Sequence, residues 1–151
     1  ADISSGLKIS VDFNPATTEL IYGSKNKVQI TDKTQTIFTL LAMVQATDYR
    51  ELDTHWFPFE HEGQLGKARF VWSDTATINY RKNKELCDHY RLDIDKIEGY
   101  SVEVSSWDYF TDHISMPKAL RQIWVEQGGE RRIMKASVSL YGITITGEIQ
   151  E

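Results

Sequence analysis

The chain has 151 residues, 40% of them hydrophobic and 26% charged, with a net charge of −5. That length predicts a single domain, 1–151, able to bury a sizeable core, and the acidic balance argues against a general polyanion binder. No apolar run reaches the roughly 18 residues of a membrane-spanning helix, and the single cysteine, Cys87, allows no internal disulfide, so a reducing, cytoplasmic setting without membrane insertion is expected.

In chain order, Ile9, Val11 and Phe13 alternate with Ser10, Asp12 and Asn14, which predicts a half-buried strand. Asn14-Pro15-Ala16-Thr17 is a turn signal. Leu20-Ile21-Tyr22 and then Val28 and Ile30 continue as a second and a third strand, so the chain opens with a small antiparallel meander. Asp32 suits a helix N-cap, with Gln35 as the far member of a capping box. Ile37, Leu40, Leu41 and Val44 follow on one helical face, and the helix fades near Ala46. Tyr49-Arg50-Glu51-Leu52 starts a second short helix, ended by Pro58. Gly63 and Gly66 favour a loop, and Ala68 to Trp72 form a short strand.

A third helix is predicted over about 75–90, capped by Ser73 or Asp74, with Ile78, Leu86 and Tyr90 as its apolar stripe. Tyr100, Val102 and Val104 alternate as a strand. Ser115 as N-cap and Pro117 near the first helical position open a further helix with Leu120, Ile123, Trp124 and Gln127 on one face; Gly128-Gly129 ends it. Met134, Ala136, Val138 and Leu140, then a turn at Tyr141-Gly142, then Ile143 and Ile145 predict a terminal hairpin. The pattern is that of an α+β domain, with antiparallel strands at both ends and about three to four helices. A subdivision, if present, falls near Ser105–Ser106.

Three strands, a helix introduced by Ile30-Thr31, Arg50-Glu51-Leu52 leading to Trp56, a basic helix, and a strand carrying Gly99-Tyr100-Ser101-Val102 stand in a familiar order. Over residues 9–104 this order resembles the winged-helix DNA-binding domain of OmpR/ToxR-type regulators. The resemblance implies a winged-helix core followed by a helix and hairpin extension over 105–151. It implies a DNA-binding transcriptional regulator whose helix around 75–90 enters the major groove of double-stranded DNA. Asn79 and Tyr80 would then reach bases or phosphates, Arg81, Lys82 and Lys84 would bind phosphates, and Lys96 would sit on the wing. The chain departs from that family at the centre of the recognition helix, where Asn79-Tyr80-Arg81-Lys82 has no Leu before the Arg. The same cations also suit a solvated helix face, compensated by Glu85 and Asp88.

Other chemistry is sparser. Asp53, His55, Glu60, His61 and Glu62, with Cys87, Asp88 and His89, are zinc-compatible residue types, but their spacing matches no zinc-finger or metalloprotease pattern. They read as surface loop residues, with Cys87 a small buried apolar side chain. No catalytic motif, metal site or cofactor site is assigned. The alternative to DNA binding is an acidic protein-interaction module that pairs with a basic protein. The third is a hydrolase or metalloenzyme built on the His-containing segment. An exposed Trp56-Phe57-Pro58-Phe59 would mark an interaction patch.

Overall fold

The computed structural model describes residues 10–23, 26–101 and 114–149. Among these residues the chain is mostly β, with nine strands and two helices. Strands β1 (Val11–Asn14), β2 (Glu19–Tyr22) and β3 (Asn26–Gln29) form the expected meander as a separate sheet. Helices α1 (Ile37–Ala46) and α2 (Tyr49–Leu52) follow. Then come β4 (Phe57–His61), β5 (Gln64–Tyr80), β6 (Asn83–Ser101), β7 (Leu120–Glu126), β8 (Ile133–Leu140) and β9 (Ile143–Glu148). These six strands make one antiparallel sheet in sequence order, each paired with the next. The α+β arrangement with three to four helices is therefore not formed, and neither is a winged-helix architecture.

Both corrected helices are strands for readable reasons. In the segment 75–90, Ala76, Ile78 and Tyr80 lie on one face and Thr77 and Asn79 on the other, and the chain then reverses at Arg81-Lys82. That turn has positive φ at both central residues, 46° and 65°, the type I′ shape that matches strand twist. Glu62-Gly63 and Tyr141-Gly142 make the same turn at the β4–β5 and β8–β9 hairpins. In the segment expected as a C-terminal helix, Arg121, Ile123 and Val125 are buried and alternate with Gln122 and Trp124. The inward residue at the start of that alternation is an arginine, so the apolar pattern looks helical when only Leu120, Ile123 and Trp124 are counted.

Helix α1 lies where its apolar stripe placed it, but its cap is Thr36. The Thr36 hydroxyl accepts from the Thr39 N–H, and the Thr39 hydroxyl accepts from the Thr36 N–H at 2.7 Å. Asp32 lies upstream and exposed. Leu40 and Val44 of α1 and Leu52 of α2 are buried against Phe59, Ala68, Phe70, Tyr90, Leu92, Ile94, Ile123 and Val125 of the sheet. The opposite face holds a smaller cluster of Tyr80, Cys87 and Met134. Register shifts at Trp72/Asp74 and Trp124/Val125 re-aim side chains, which is how Met134 reaches Cys87 while Ile133 faces the helix side. Gly66 sits at a third irregularity, where a Cβ would come within 2.4 Å of the Asp95 carbonyl oxygen.

Three polar connections fasten the layers. Arg131 donates to the Val44, Gln45 and Thr47 carbonyls at the end of α1, at 3.1–3.3 Å, where helix carbonyls lack partners and a cation is favoured. Its other guanidinium nitrogen lies 3.7 Å from Asp88, a carboxylate only 3% exposed that also accepts from Trp72 Nε1 and Gln127 Nε2. The Tyr22 hydroxyl donates to the buried Glu60 carboxylate, and the Gly63 N–H donates to the same oxygen at 2.7 Å. Burial first, and then the Glu60 carboxylate, push the Tyr22 hydroxyl well above its usual pKa, so it stays a donor. Finally, Gln35 pairs with β4: its N–H donates to the Pro58 carbonyl at 2.7 Å, and its carbonyl accepts from the Glu60 N–H at 2.9 Å.

On the face away from α1, Asp93 is bonded by Arg69 at 3.0 Å and Arg91 at 2.7 Å. Burial raises the Asp93 pKa, but the hydrogen bonds from Arg91 and Arg69 outweigh it and hold the carboxyl below the usual range. A carboxylate depressed in the fold adds stability above its unfolded pKa near 4 and loses it as pH falls through the lower folded value. Replacing Asp93 by Asn should therefore cost about 1 kcal/mol at pH 7. The gap to the parent protein should narrow as pH falls below the ordinary carboxylate range in urea titrations run across pH. Arg131→Ala should cost more, about 2–4 kcal/mol in the same assay, because it strips three helix carbonyls and leaves Asp88 without its cation.

Candidate functional site

Helix α1 is too narrow to cover the sheet it packs on. A helix with side chains spans about 10–12 Å, or roughly two spacings of about 4.8 Å between strands. The sheet has six strands. The helices sit over β4 to β7, and the inward faces of β7, β8 and β9 extend past them. The result is a half-open cleft of about 220 Å³ beside α1. One wall is Ile37 and Leu41 of α1. The floor is Leu92, Ile123, Ala136 and Val138, and Ile145 and Gly147 form the far rim.

Among the described residues, the only ionisable side chain lining this cleft is Arg121. It is 3% exposed. Its Nε donates to the Ile114 carbonyl, its Nη1 to the Leu92 and Ala119 carbonyls at 3.3 and 3.1 Å, and its Nη2 to the Met116 carbonyl. Burial pulls its pKa down to about 10, and the Asp93 charge pulls the other way. It therefore remains a cation at neutral pH, set in an apolar wall. Nothing in the sequence marked it, since an isolated arginine at a strand position gives no pattern.

The residues expected to bind DNA are not on one helix. Arg81 and Lys82 form the tip of the β5–β6 hairpin and Lys84 follows it, all three exposed. Asn79 is exposed on the β5 arm opposite Lys84. Tyr80 is 9% exposed and belongs to the small core, with Arg81 and Arg132 lying 5.2 and 5.1 Å from its ring centre. Lys96 pairs with Gly66 at the other end of the hairpin. Twelve steps of about 3.3 Å separate it from Lys84, roughly 40 Å, so Lys96 joins no site with the tip. Val102 and Val104 lie outside the described residues.

The zinc-compatible residues also disperse. Among the described residues no group of three or more His, Cys, Asp or Glu side chains is placed to hold a metal ion. Glu60 and Asp88 are buried and hydrogen-bonded rather than on surface loops. Asp53 accepts from the Trp72 N–H at 2.9 Å. His89 is engaged at both ring nitrogens, 2.9 Å from Asp74 and 2.8 Å from Gln122, and stacks on Trp124 at 4.4 Å. Cys87 is fully buried, and burial, then Glu126, Glu85 and Asp88, push its thiol up to about 11, which removes it as a nucleophile. Of the aromatic run, Phe59 is core and Phe57 is half-buried. Trp56 is partly covered by Lys67 and Arg69, 4.4 and 4.5 Å from its ring centre. No described helix is long and apolar enough to cross a membrane. No family model, curated protein or solved structure matches this chain.

Proposed function

We propose that this protein binds a small, largely apolar molecule in the cleft between α1 and strands β7 to β9, and acts through that binding rather than through catalysis. The observation that carries the reading is the cleft itself: apolar walls from a helix and a sheet. That is the composition of a ligand pocket. At about 220 Å³ it is smaller than the ~300–1,000 Å³ of drug-sized sites and larger than the ~150 Å³ cavity that holds benzene. Scaling from benzene's six carbons gives a ligand of roughly nine heavy atoms. A cytoplasmic setting belongs to the same proposal and rests on the lone cysteine.

Small alkylbenzenes are the direct probe. Toluene or ethylbenzene should raise the thermal midpoint in a saturable way, by the equivalent of about 1.4 kcal/mol at ten times the dissociation constant. Ala136→Phe or Ile145→Trp should fill or close the cleft and abolish the shift while leaving the fold intact by circular dichroism. No shift with any such probe, or an undiminished shift in both variants, removes the cleft from consideration.

A second reading rests on the hairpin tip, where Arg81, Lys82 and Lys84 project together into solvent. A two-stranded ribbon can enter the major groove of DNA. Glu85 and Glu126 stand near the same end, so the contact would be with phosphates through the tip alone. Under this reading, binding to duplex DNA weakens steeply with salt. Arg81→Ala with Lys82→Ala should reduce the slope of log affinity against log salt by about 2. Absence of duplex binding at low salt sinks the reading.

A further inference from the structure

Strand β9 is an open margin of the six-stranded sheet. Among the described residues it pairs only with β8, and every residue from Ile143 to Glu148 is exposed. The β8 register fixes which of its backbone groups are occupied. The Ile149 N–H donates to the Met134 carbonyl at 3.0 Å, and these two residues continue the pairing of Lys135 with Glu148. In an antiparallel ladder, hydrogen-bonded pairs alternate with non-bonded ones. Gly147, Ile145 and Ile143 therefore bond to β8, and the N–H and C=O groups of Thr144, Thr146 and Glu148 point outward.

Sheet edges are commonly protected by a proline, a lysine or a bulge. Ile143-Thr144-Ile145-Thr146-Gly147-Glu148 has no proline or lysine, and its pairing with β8 runs without a register shift. Its side chains are sorted as well. Ile145 lies on the cleft face and Ile143, two residues away, shares it; they are 49% and 69% exposed. Thr144 and Thr146 lie on the other face, where the Thr144 hydroxyl meets that of Ser139 at 2.7 Å. The one charge on the strand is Glu148, and Lys135 of β8 meets it at 2.7 Å. The chain as a whole carries −5, so two copies repel one another at long range. Along β9 the charge is balanced within each copy, and this edge adds nothing to that repulsion.

We propose that β9 is the interface of a symmetric dimer, in which a second copy of this chain lays its own β9 antiparallel to the first and carries the sheet across both. A two-fold axis at Thr146 overlaps the whole strand. It sets Thr144 opposite Glu148 and Ile143 opposite Ile149, and brings Ile145 beside Gly147. The outward N–H and C=O groups of Thr144, Thr146 and Glu148 are then paired in both copies, and the apolar face of one strand continues into that of the other. Dimerisation of this kind does not depend on a ligand in the cleft.

Sedimentation velocity on the full chain tests it. One strand pair makes a smaller interface than a standard complex, so the dimer should be concentration-dependent, with monomer prevailing near about 1 µM and dimer near about 200 µM. Raising salt from about 0.05 to about 0.5 M should leave the dimer intact or strengthen it, because salt screens the repulsion between two acidic chains and no ion pair crosses the interface. Thr146→Pro removes one outward N–H and leaves the β8 ladder its bonds. Thr146→Lys sets two ammonium groups against each other on the axis. Each should weaken dimerisation by roughly tenfold or more, with the circular dichroism of the monomer unchanged. In the parent chain, the Thr144, Thr146 and Glu148 amides should exchange with solvent more slowly at the high concentration than at the low one. A monomer at every concentration overturns the proposal. So does a dimer that salt dissolves, or one that both variants leave at full strength, since either places the contact elsewhere. If the proline variant does not fold, the lysine variant and the amide exchange of the parent chain decide, and exchange equally fast at both concentrations overturns the assignment to β9.

Discussion

Strand β6 is the constraint on which the rest of the architecture depends. It pairs with β5 along nearly its whole length, from Asn83 opposite Tyr80 to Lys96 opposite Gly66, and with β7 from Cys87 to Leu92. Its alternation therefore decides what both faces of the sheet contain. Asp88, Tyr90, Leu92 and Ile94 point to the helices; Cys87, His89, Arg91 and Asp93 point away. A slip of one residue would exchange the two sets and put Arg91 and Asp93 under α1. Burying tyrosine, leucine and isoleucine under the helix, and pairing the ions in solvent, makes one register far better than its neighbours.

The cleft follows from that arrangement and from helix length. One ten-residue helix is held at its C-terminal end by Arg131 and by packing over β5 to β7. It cannot reach the last two strands. Ala136, Val138 and Ile145 therefore keep their apolar side chains facing a space that the helix borders but does not fill. Arg121 survives in that wall because the turn before β7 supplies three carbonyls, and β6 a fourth, to hold it.

Some of this was legible in the chain and some was not. Helix α1 could be read because Ile37, Leu40, Leu41 and Val44 recur at helical spacing, although Thr36 took the capping role that Asp32 seemed to offer. The terminal hairpin could be read because Met134 to Leu140 alternates and Tyr141-Gly142 supplies a glycine. The central hairpin gave no such signal: its type I′ turn is Arg81-Lys82, with neither Asn nor Gly, and two cations in a row read as a helix surface. Tertiary pairing over long strands outweighs the local cost of left-handed backbone at those two residues. The cleft was invisible for a different reason. It arises from the mismatch between a helix and a sheet distant in sequence, and no residue in it is unusual alone.

The two edges of the six-stranded sheet differ. At the β4 edge, Pro58 has no N–H to offer, and the backbone groups beside it are already taken by Gln35. At the β9 edge, Ile143 to Glu148 is exposed along its whole length, and among the described residues it pairs on one side only, with β8. Growth through this sheet is therefore a one-ended process. Whatever strand adds to β9, the far edge cannot hand the pattern on, so two copies meeting there would close on themselves as a pair and a fibre would not propagate.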